Sequence, residues 1–117
     1  MKDYIGAQDL QEKVKDKYCK IYGEDHPFTL TCMNNLAGTL FRQGNYDEAQ
    51  ILQEKVLQLS KNKLGLEHPN TLVSMSNLSL TLSKLGNFDR ASSLVEEVIK
   101  LQRKIIGEHH PNTLGNL

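Results

Sequence analysis

Apolar side chains recur along this chain at the spacing of amphipathic helices. One stripe consists of Met33, Leu36, Ala37 and Leu40. A second stripe consists of Ala49, Leu52, Val56 and Leu59. Steps of three and four residues place each set on one face of a helix, so the pattern predicts two consecutive amphipathic helices.

The ends of these helices are also marked in the sequence. Gln43-Gly44-Asn45 forms a short turn in which Gly44 can adopt the left-handed conformation and Asn45 can cap the next helix. Pro27 and Pro69 suit the first turn of a helix, where a missing N–H costs nothing. The spacing predicts five helices, near residues 3–21, 28–43, 46–63, 70–85 and 88–105.

The same pattern returns with a period of 42 residues. Three His-Pro pairs keep this step, beginning at His26, His68 and His110, and residues 23–64 and 65–106 are identical at 18 of 42 positions. We therefore divide a single domain, 1–117, into repeat units. These are a leading half repeat (1–22), two full repeats (23–64 and 65–106) and the start of a truncated repeat (107–117).

Each full repeat is a helix hairpin whose first member we name A and whose second we name B. A hairpin cannot bury both of its apolar stripes alone, so consecutive hairpins must stack. The sequence therefore predicts an all-α solenoid in the order B, A, B, A, B.

Charge and composition exclude several classes of protein. Fourteen Lys and Arg balance fourteen Asp and Glu, which argues against a general binder of nucleic acid or anionic membranes. No apolar run is long enough to span a bilayer, and the first ten residues do not resemble a secretory signal. Two cysteines, Cys19 and Cys32, are too few for a disulfide scaffold. We expect a cytoplasmic protein.

Catalytic and metal-binding patterns are weak. His26, His68 and His110 recur once per repeat, so they cannot share one ion, and we expect them to fix the loop before each A helix. The two cysteines lack a CxxC spacing and a base partner, and no hydrolase or zinc-protease motif occurs. We predict no enzyme activity, no cofactor and no metal site.

Two polar pairs recur identically in the A helices: Asn35 with Asn77, and Thr39 with Thr81. They lie about a third to half a turn from the apolar stripe. Two explanations fit their recurrence: the side chains form hydrogen bonds between neighbouring repeats, or their amides face a ligand. Repetition favours the first explanation, because packing between repeats requires it.

The chain resembles a tetratricopeptide repeat (TPR) protein over almost its whole length. The pattern that carries the resemblance is Met33-x-x-Leu36-Ala37-x-x-Leu40, Gly44-x-Tyr46-x-x-Ala49 and Val56. The long loop Gly-x-x-His-Pro-x-Thr-Leu is similar to the 42-residue repeats of kinesin light chains. It is also similar to the C-terminal repeat regions of fungal and bacterial nucleotide-binding signalling ATPases. The resemblance implies a right-handed solenoid of about five helices.

The resemblance also implies a function, because the A helices of this fold line a concave groove that binds extended peptides. The implied binding residues are Thr31, Asn34, Asn35, Gly38, Phe41, Arg42, Val73, Ser76, Asn77, Leu80, Ser83 and Lys84. We expect apolar contacts from Phe41 and Leu80, and hydrogen bonds to the peptide backbone from Asn34 and Ser76. Substituting Phe41 and Arg42 by Ala is expected to abolish capture without unfolding the chain.

The chemistry of the ligand follows from charge. Residues 28–43 and 70–85 contain no Asp or Glu, and their charged residues are Arg42 and Lys84. We therefore expect a protein or peptide partner of acidic character. The Lys/Asn clamp of chaperone-binding relatives is absent at the matching positions, which are Asn34, Gly38, Ser76 and Leu80.

An alternative role follows from the ends of the solenoid, where both terminal B helices leave an apolar stripe without a partner. Such faces favour self-association. The alternative is therefore an assembly module that forms homo-oligomers through its terminal helices, or a fragment of a larger sensor array.

Overall fold

The computed structural model describes residues 4–109, and every regular element within that range is an α-helix. The five helices are α1 (Tyr4–Tyr22), α2 (Pro27–Arg42), α3 (Tyr46–Leu64), α4 (Pro69–Lys84) and α5 (Phe88–His109). Each packs mainly against its neighbours in the sequence. This confirms the predicted fold, with α2 and α4 as A helices. The described part measures 54 × 36 × 26 Å.

The last helix differs from the prediction, which ended it near residue 105. Gly23 and Gly65 adopt positive φ where α1 and α3 end, but the equivalent Gly107 lies within α5. The end of α3 at Gly65 is held by hydrogen bonds from His68 and Thr71, which follow it in the chain. The residues equivalent to these two begin at His110. From His110 onward, the predicted start of a truncated repeat lies outside the described residues.

The loop before each A helix has one repeated set of hydrogen bonds. His26 and His68 are N-caps, and their Nδ1 atoms accept from the backbone N–H groups of Phe28 and Asn70, each at 3.1 Å. The Thr71 hydroxyl donates to the carbonyl of Gly65 at 2.7 Å, and Thr29 repeats this bond one unit earlier. The two His-Pro pairs within the described residues therefore initiate α2 and α4, as expected, and Thr29 and Thr71 tie these A helices to the ends of the preceding B helices.

The turn inside the first hairpin is closed by backbone geometry. Gly44 has a φ of +85°, which confirms the left-handed conformation predicted for it. Asn45 occupies the N-cap of α3, but its side chain does not cap the helix and instead donates from Nδ2 to Gln43 Oε1. The predicted N-cap position is confirmed, but the predicted side-chain cap is wrong, because the amide turns its Nδ2 toward Gln43 and its oxygen accepts no N–H of α3.

The core lies between consecutive helices, where the predicted stripes meet. In the first full repeat, the core is centred on Leu30, Met33, Leu36, Leu40, Ala49 and Val56. The second is centred on Leu72, Met75, Leu78, Leu82, Ala91 and Val98, and Leu57 of α3 joins it from the preceding repeat. Burial of these side chains is the main stabilising term of the fold.

The outer surface carries an ion pair that links two neighbouring B helices. Arg90 of α5 hydrogen-bonds to Glu54 of α3, and this bond holds the pKa of the Glu54 carboxyl below its ordinary value. Because both groups are substantially exposed, the pair contributes little to stability and is weakened by salt. Across residues 4–109, none of the helices combines the length and apolar character required to cross a bilayer.

Substituting Thr71 by Val tests the tie between repeats. Thr71 is fully buried, and the change keeps its shape while it removes the hydroxyl that bonds to Gly65. We expect the free energy of unfolding in urea to fall by about 1 kcal/mol. The control is Thr31→Val, whose hydroxyl bonds within its own helix on an exposed face, and we expect a change below about 0.5 kcal/mol. Equal losses of unfolding free energy in the two variants would show that the Thr71 hydroxyl does not tie α4 to the end of α3.

Glycine substitutions test the two glycines of the first hairpin. Gly38 lies inside α2, and an added Cβ would lie 3.7 Å from the Arg42 guanidinium, which is ordinary contact. Gly38→Ala is therefore expected to raise the free energy of unfolding by about 0.5–1 kcal/mol. Gly44→Ala is expected to lower it by about 1–2 kcal/mol because of the positive φ. Urea denaturation of both variants measures the contrast, and a loss at Gly38 would show that the helix needs this glycine.

Candidate functional site

A cleft of about 520 Å³ lies between the two A helices, and we call it the groove. Helices α2 and α4 form its walls, and α3 lies behind them as its floor. Its lining consists of Gln11, Leu30, Thr31, Asn34, Asn35, Gly38, Phe41, Arg42, Gln53, Ser60, Asn70, Val73, Asn77 and Leu80.

Nine of the twelve residues named from the sequence lie in this lining. The other three, Ser76, Ser83 and Lys84, do not. Only one side of α4 faces α2, and it is the side that carries Val73 and Asn77. Ser83 turns toward α5, where it lines a separate depression with Phe88 and Val95. Lys84 is exposed at the end of α4. A binding role for each of the twelve residues stays a prediction.

Five lining residues were not anticipated: Gln11, Leu30, Gln53, Ser60 and Asn70. Sequence reasoning assigned the groove to the A helices alone, whereas Gln11, Gln53 and Ser60 come from B helices. A signal for the last two existed in the spacing. Gln53 and Ser60 are seven residues apart on α3, and this step places them on one face of the helix. That face is directed toward α4 rather than toward the hairpin partner α2.

The electrostatic character of the groove is set by one side chain. Arg42 is its charged lining residue, and no Asp or Glu lies among the lining residues. The Arg42 guanidinium lies back along α2 over Gly38. The walls therefore present one cation among neutral polar and apolar groups.

Phe41 has two roles in the structure. It lines the groove, and it also packs on the core formed by Leu36, Leu40 and Ala49. Its ring meets that of Tyr46 in an edge-on arrangement, with centroids 5.1 Å apart. Substitution of Phe41 therefore perturbs the first hairpin as well as the groove, so it cannot test binding without affecting the fold.

The recurrent polar pairs of the A helices separate into two kinds. The Thr39 hydroxyl lies 2.7 Å from Gln11 Oε1 and 3.2 Å from the carbonyl of Asn35, and Thr81 bonds to the carbonyl of Asn77. These threonines act within the fold. The side-chain amides of Asn35 and Asn77 make no hydrogen bond to any residue in 4–109, and both line the groove. They offer donors and acceptors to a ligand.

The floor of the groove holds two buried polar atoms without a partner. Gln53 is 4% exposed and Ser60 is 1% exposed. Gln53 Oε1 and Ser60 Oγ have no hydrogen-bond partner among the described residues. A buried polar atom that has lost its water and gained no partner costs about 1–3 kcal/mol.

Nucleophilic and metal-binding groups are not concentrated in the groove. Cys19 and Cys32 are half-buried free thiols, and burial raises the pKa of Cys32, which disfavours its reactive thiolate. The part of the chain that the structure describes contains no group of three His, Cys, Asp or Glu side chains positioned to hold a metal ion. The groove is therefore equipped for hydrogen bonding and apolar contact.

Comparison with known proteins agrees with this geometry. A tetratricopeptide-repeat family model matches residues 1–61 and residues 33–104. No match was found among curated protein sequences. Among solved structures, the chain is similar to the crystal structure of nearly identical TPR-like repeats from a Podosopora anserina kinesin light chain. A single-substitution variant of the same repeats also matches.

Both of these matches have a TM-score of 0.82 and 29% sequence identity, and they cover 96% of this chain. This chain spans about half, 53%, of the length of those relatives. Repeats of this family generally form scaffolds for interactions between proteins. The family model, the five-helix solenoid and the 42-residue period agree, and the chain belongs to the tetratricopeptide-repeat family in its kinesin-light-chain-like form.

Proposed function

We propose that this protein binds an extended peptide of acidic character in the groove between α2 and α4 and performs no chemistry on it. The observation that carries the proposal is the charge of the lining, in which Arg42 is accompanied by no Asp or Glu. Lys84 does not line the groove, but it is exposed at the end of α4, at the position equivalent to Arg42 of α2, and adds a second cation there. An acidic side chain can therefore approach without meeting a like charge from the groove walls.

The size of the groove supports a peptide as the ligand. A cleft of about 520 Å³ falls within the range of sites that enclose small ligands or short stretches of a larger one. The side-chain amides of Asn34, Asn35 and Asn77 line the groove and can bond to the backbone of an extended chain, which offers N–H and C=O groups in alternation. Leu80 and Phe41 add apolar surface for side chains of the peptide.

The remaining predictions are consistent with a binding scaffold. The free thiols of Cys19 and Cys32 suit a reducing compartment, and we place the protein in the cytoplasm. A neutral net charge does not favour a nucleic-acid partner. We propose a protein partner whose binding segment is unfolded before it enters the groove.

Charge reversal at the edge of the groove tests the proposal. The probe is a set of peptides selected from a random dodecamer library for binding to the wild-type chain. We expect the selected peptides to be rich in Asp and Glu, and Arg42→Glu combined with Lys84→Glu to weaken their binding by about tenfold or more. Fluorescence anisotropy measures the affinity, and binding to the wild-type chain should weaken as salt concentration rises.

The matched control for this test is Lys63→Glu combined with Lys100→Glu. Both lysines are exposed on B helices, and the pair changes the net charge by the same amount. We expect wild-type affinity in the control. If the two double variants lose affinity equally, the attraction comes from the whole chain, and the groove is not the site. If neither double variant loses affinity, the proposal that the ligand is acidic is wrong.

A second candidate function is assembly, and one face of α5 favours it. Phe88, Val95, Ile99 and Ile106 follow one another at steps of seven, four and seven residues, and all are exposed. The equivalent face of α3 includes Leu57, which is buried against Leu72 and Met75 of α4. No helix within the described residues covers the α5 face. We propose a second copy of this chain as its occupant.

Light scattering across a concentration series tests assembly. We expect the wild-type chain to gain apparent mass with concentration, and Val95→Glu combined with Ile99→Glu to stay monomeric with unchanged thermal stability. The two side chains are exposed in one copy, so their loss removes little from its core. A wild-type chain that stays monomeric up to millimolar concentration would rule out assembly through this face.

A further inference from the structure

The two unpartnered atoms in the floor of the groove distinguish this repeat from its neighbours. Gln53 and Gln11 occupy equivalent positions, 42 residues apart. Gln11 Oε1 accepts from the Thr39 hydroxyl at 2.7 Å, which ties α1 to α2. The equivalent Thr81 donates to the carbonyl of Asn77, and Gln53 Oε1 has no partner among residues 4–109. The same side chain is therefore satisfied by the fold in one repeat and unsatisfied in the next.

Ser60 shows a similar contrast with a nearby serine. Ser74 and Ser60 are both 1% exposed and both lie inside helices. Ser74 Oγ donates to the carbonyl of Asn70 at 2.9 Å, whereas Ser60 Oγ has no partner within the described chain. Both Ser60 and Gln53 contribute to the lining of the groove, so a ligand in the groove can bring hydrogen-bonding groups toward both side chains.

The separation of the two positions fits an extended peptide. Seven residues of helix span about 10.5 Å at 1.5 Å per residue. An extended chain advances about 3.3 Å per residue, so three residues cover the same length. A peptide that lies along the groove between α2 and α4 can therefore offer one amide to Gln53 and another to Ser60.

We propose that α3 provides a buried floor to the peptide site, in which Gln53 and Ser60 bind two amide groups of the ligand about three residues apart. The inference rests on the proposed peptide-binding function and adds which polar groups of the peptide the groove recognises. Gln53 Oε1 accepts an amide N–H, and the Ser60 hydroxyl donates to an amide C=O or accepts from an N–H. The ligand amides belong either to the peptide backbone or to Asn and Gln side chains.

Stability of the free chain provides the first test. Gln53→Met combined with Ser60→Ala removes both unsatisfied atoms and keeps volume and helix propensity. The matched control is Gln11→Met combined with Ser74→Ala, which removes two satisfied groups of the same types. We expect the floor variant to unfold at a temperature about 4 °C or more above the control. A floor variant that is no more stable than the control would mean that Gln53 and Ser60 are satisfied within the fold, and it would overturn the proposal.

Peptide binding provides the second test. With the selected acidic dodecamers as the probe, we expect the floor variant to bind about fivefold or more weakly for each lost hydrogen bond, despite its higher stability. A structural role alone does not predict opposite changes in stability and affinity. Unchanged affinity in the floor variant overturns the proposal. If Arg42→Glu with Lys84→Glu still weakens binding, the groove remains the peptide site and the floor assignment alone fails.

Modified peptides identify the source of the amides. Methylation of each backbone nitrogen in turn removes one N–H, and replacement of each Asn or Gln by Ala removes one side-chain amide. We expect one of these two series to weaken binding to the wild-type chain about fivefold at a given residue and to have no effect there in the floor variant. A series that affects both proteins equally at every residue contradicts the proposed contacts.

Discussion

Each A helix must be covered on two sides, and the rest of the structure depends on this constraint. Leu72, Met75 and Leu78 of α4 are buried between α3 on one side and α5 on the other. A single hairpin covers only one of those sides, so the stack is the smallest stable unit. The Thr-to-Gly hydrogen bonds fix the entry of each A helix, and the stripes then determine which faces meet.

Most of the fold was predictable because its determinants are local and repeat. The 42-residue period defined the hairpins, and Gly44, Pro27 and Pro69 marked helix ends that the structure confirms. The exceptions have local causes. Asn45 bonds to Gln43 in place of its own helix, and Gly107 continues a helix that its equivalents end. For Asn45 the sequence pattern was present, but the contact with Gln43 was not visible in it.

The site was less predictable than the fold. The sequence identified the A-helix walls because a helical wheel shows which residues lie beside the apolar stripe. It did not show that Ser83 turns toward α5, since this depends on how α4 is rotated between its neighbours. It also missed Gln53 and Ser60, because a polar residue within a helix is ordinarily exposed. Their burial follows from the approach of α4 to α3, which is a property of the stack.

The groove lies between two A helices and above one B helix, and this arrangement has a consequence for how its lining can change in evolution. The walls belong to consecutive A helices, and the floor belongs to the B helix that joins them, so one groove spans the segment from α2 to α4. The α5 positions equivalent to Gln53 and Ser60 are Val95 and Gln102. Substitution on one B-helix face therefore alters the polarity of one site and leaves the stripes that hold the stack intact. Duplication of a repeat adds a new groove whose lining can change separately from those already present.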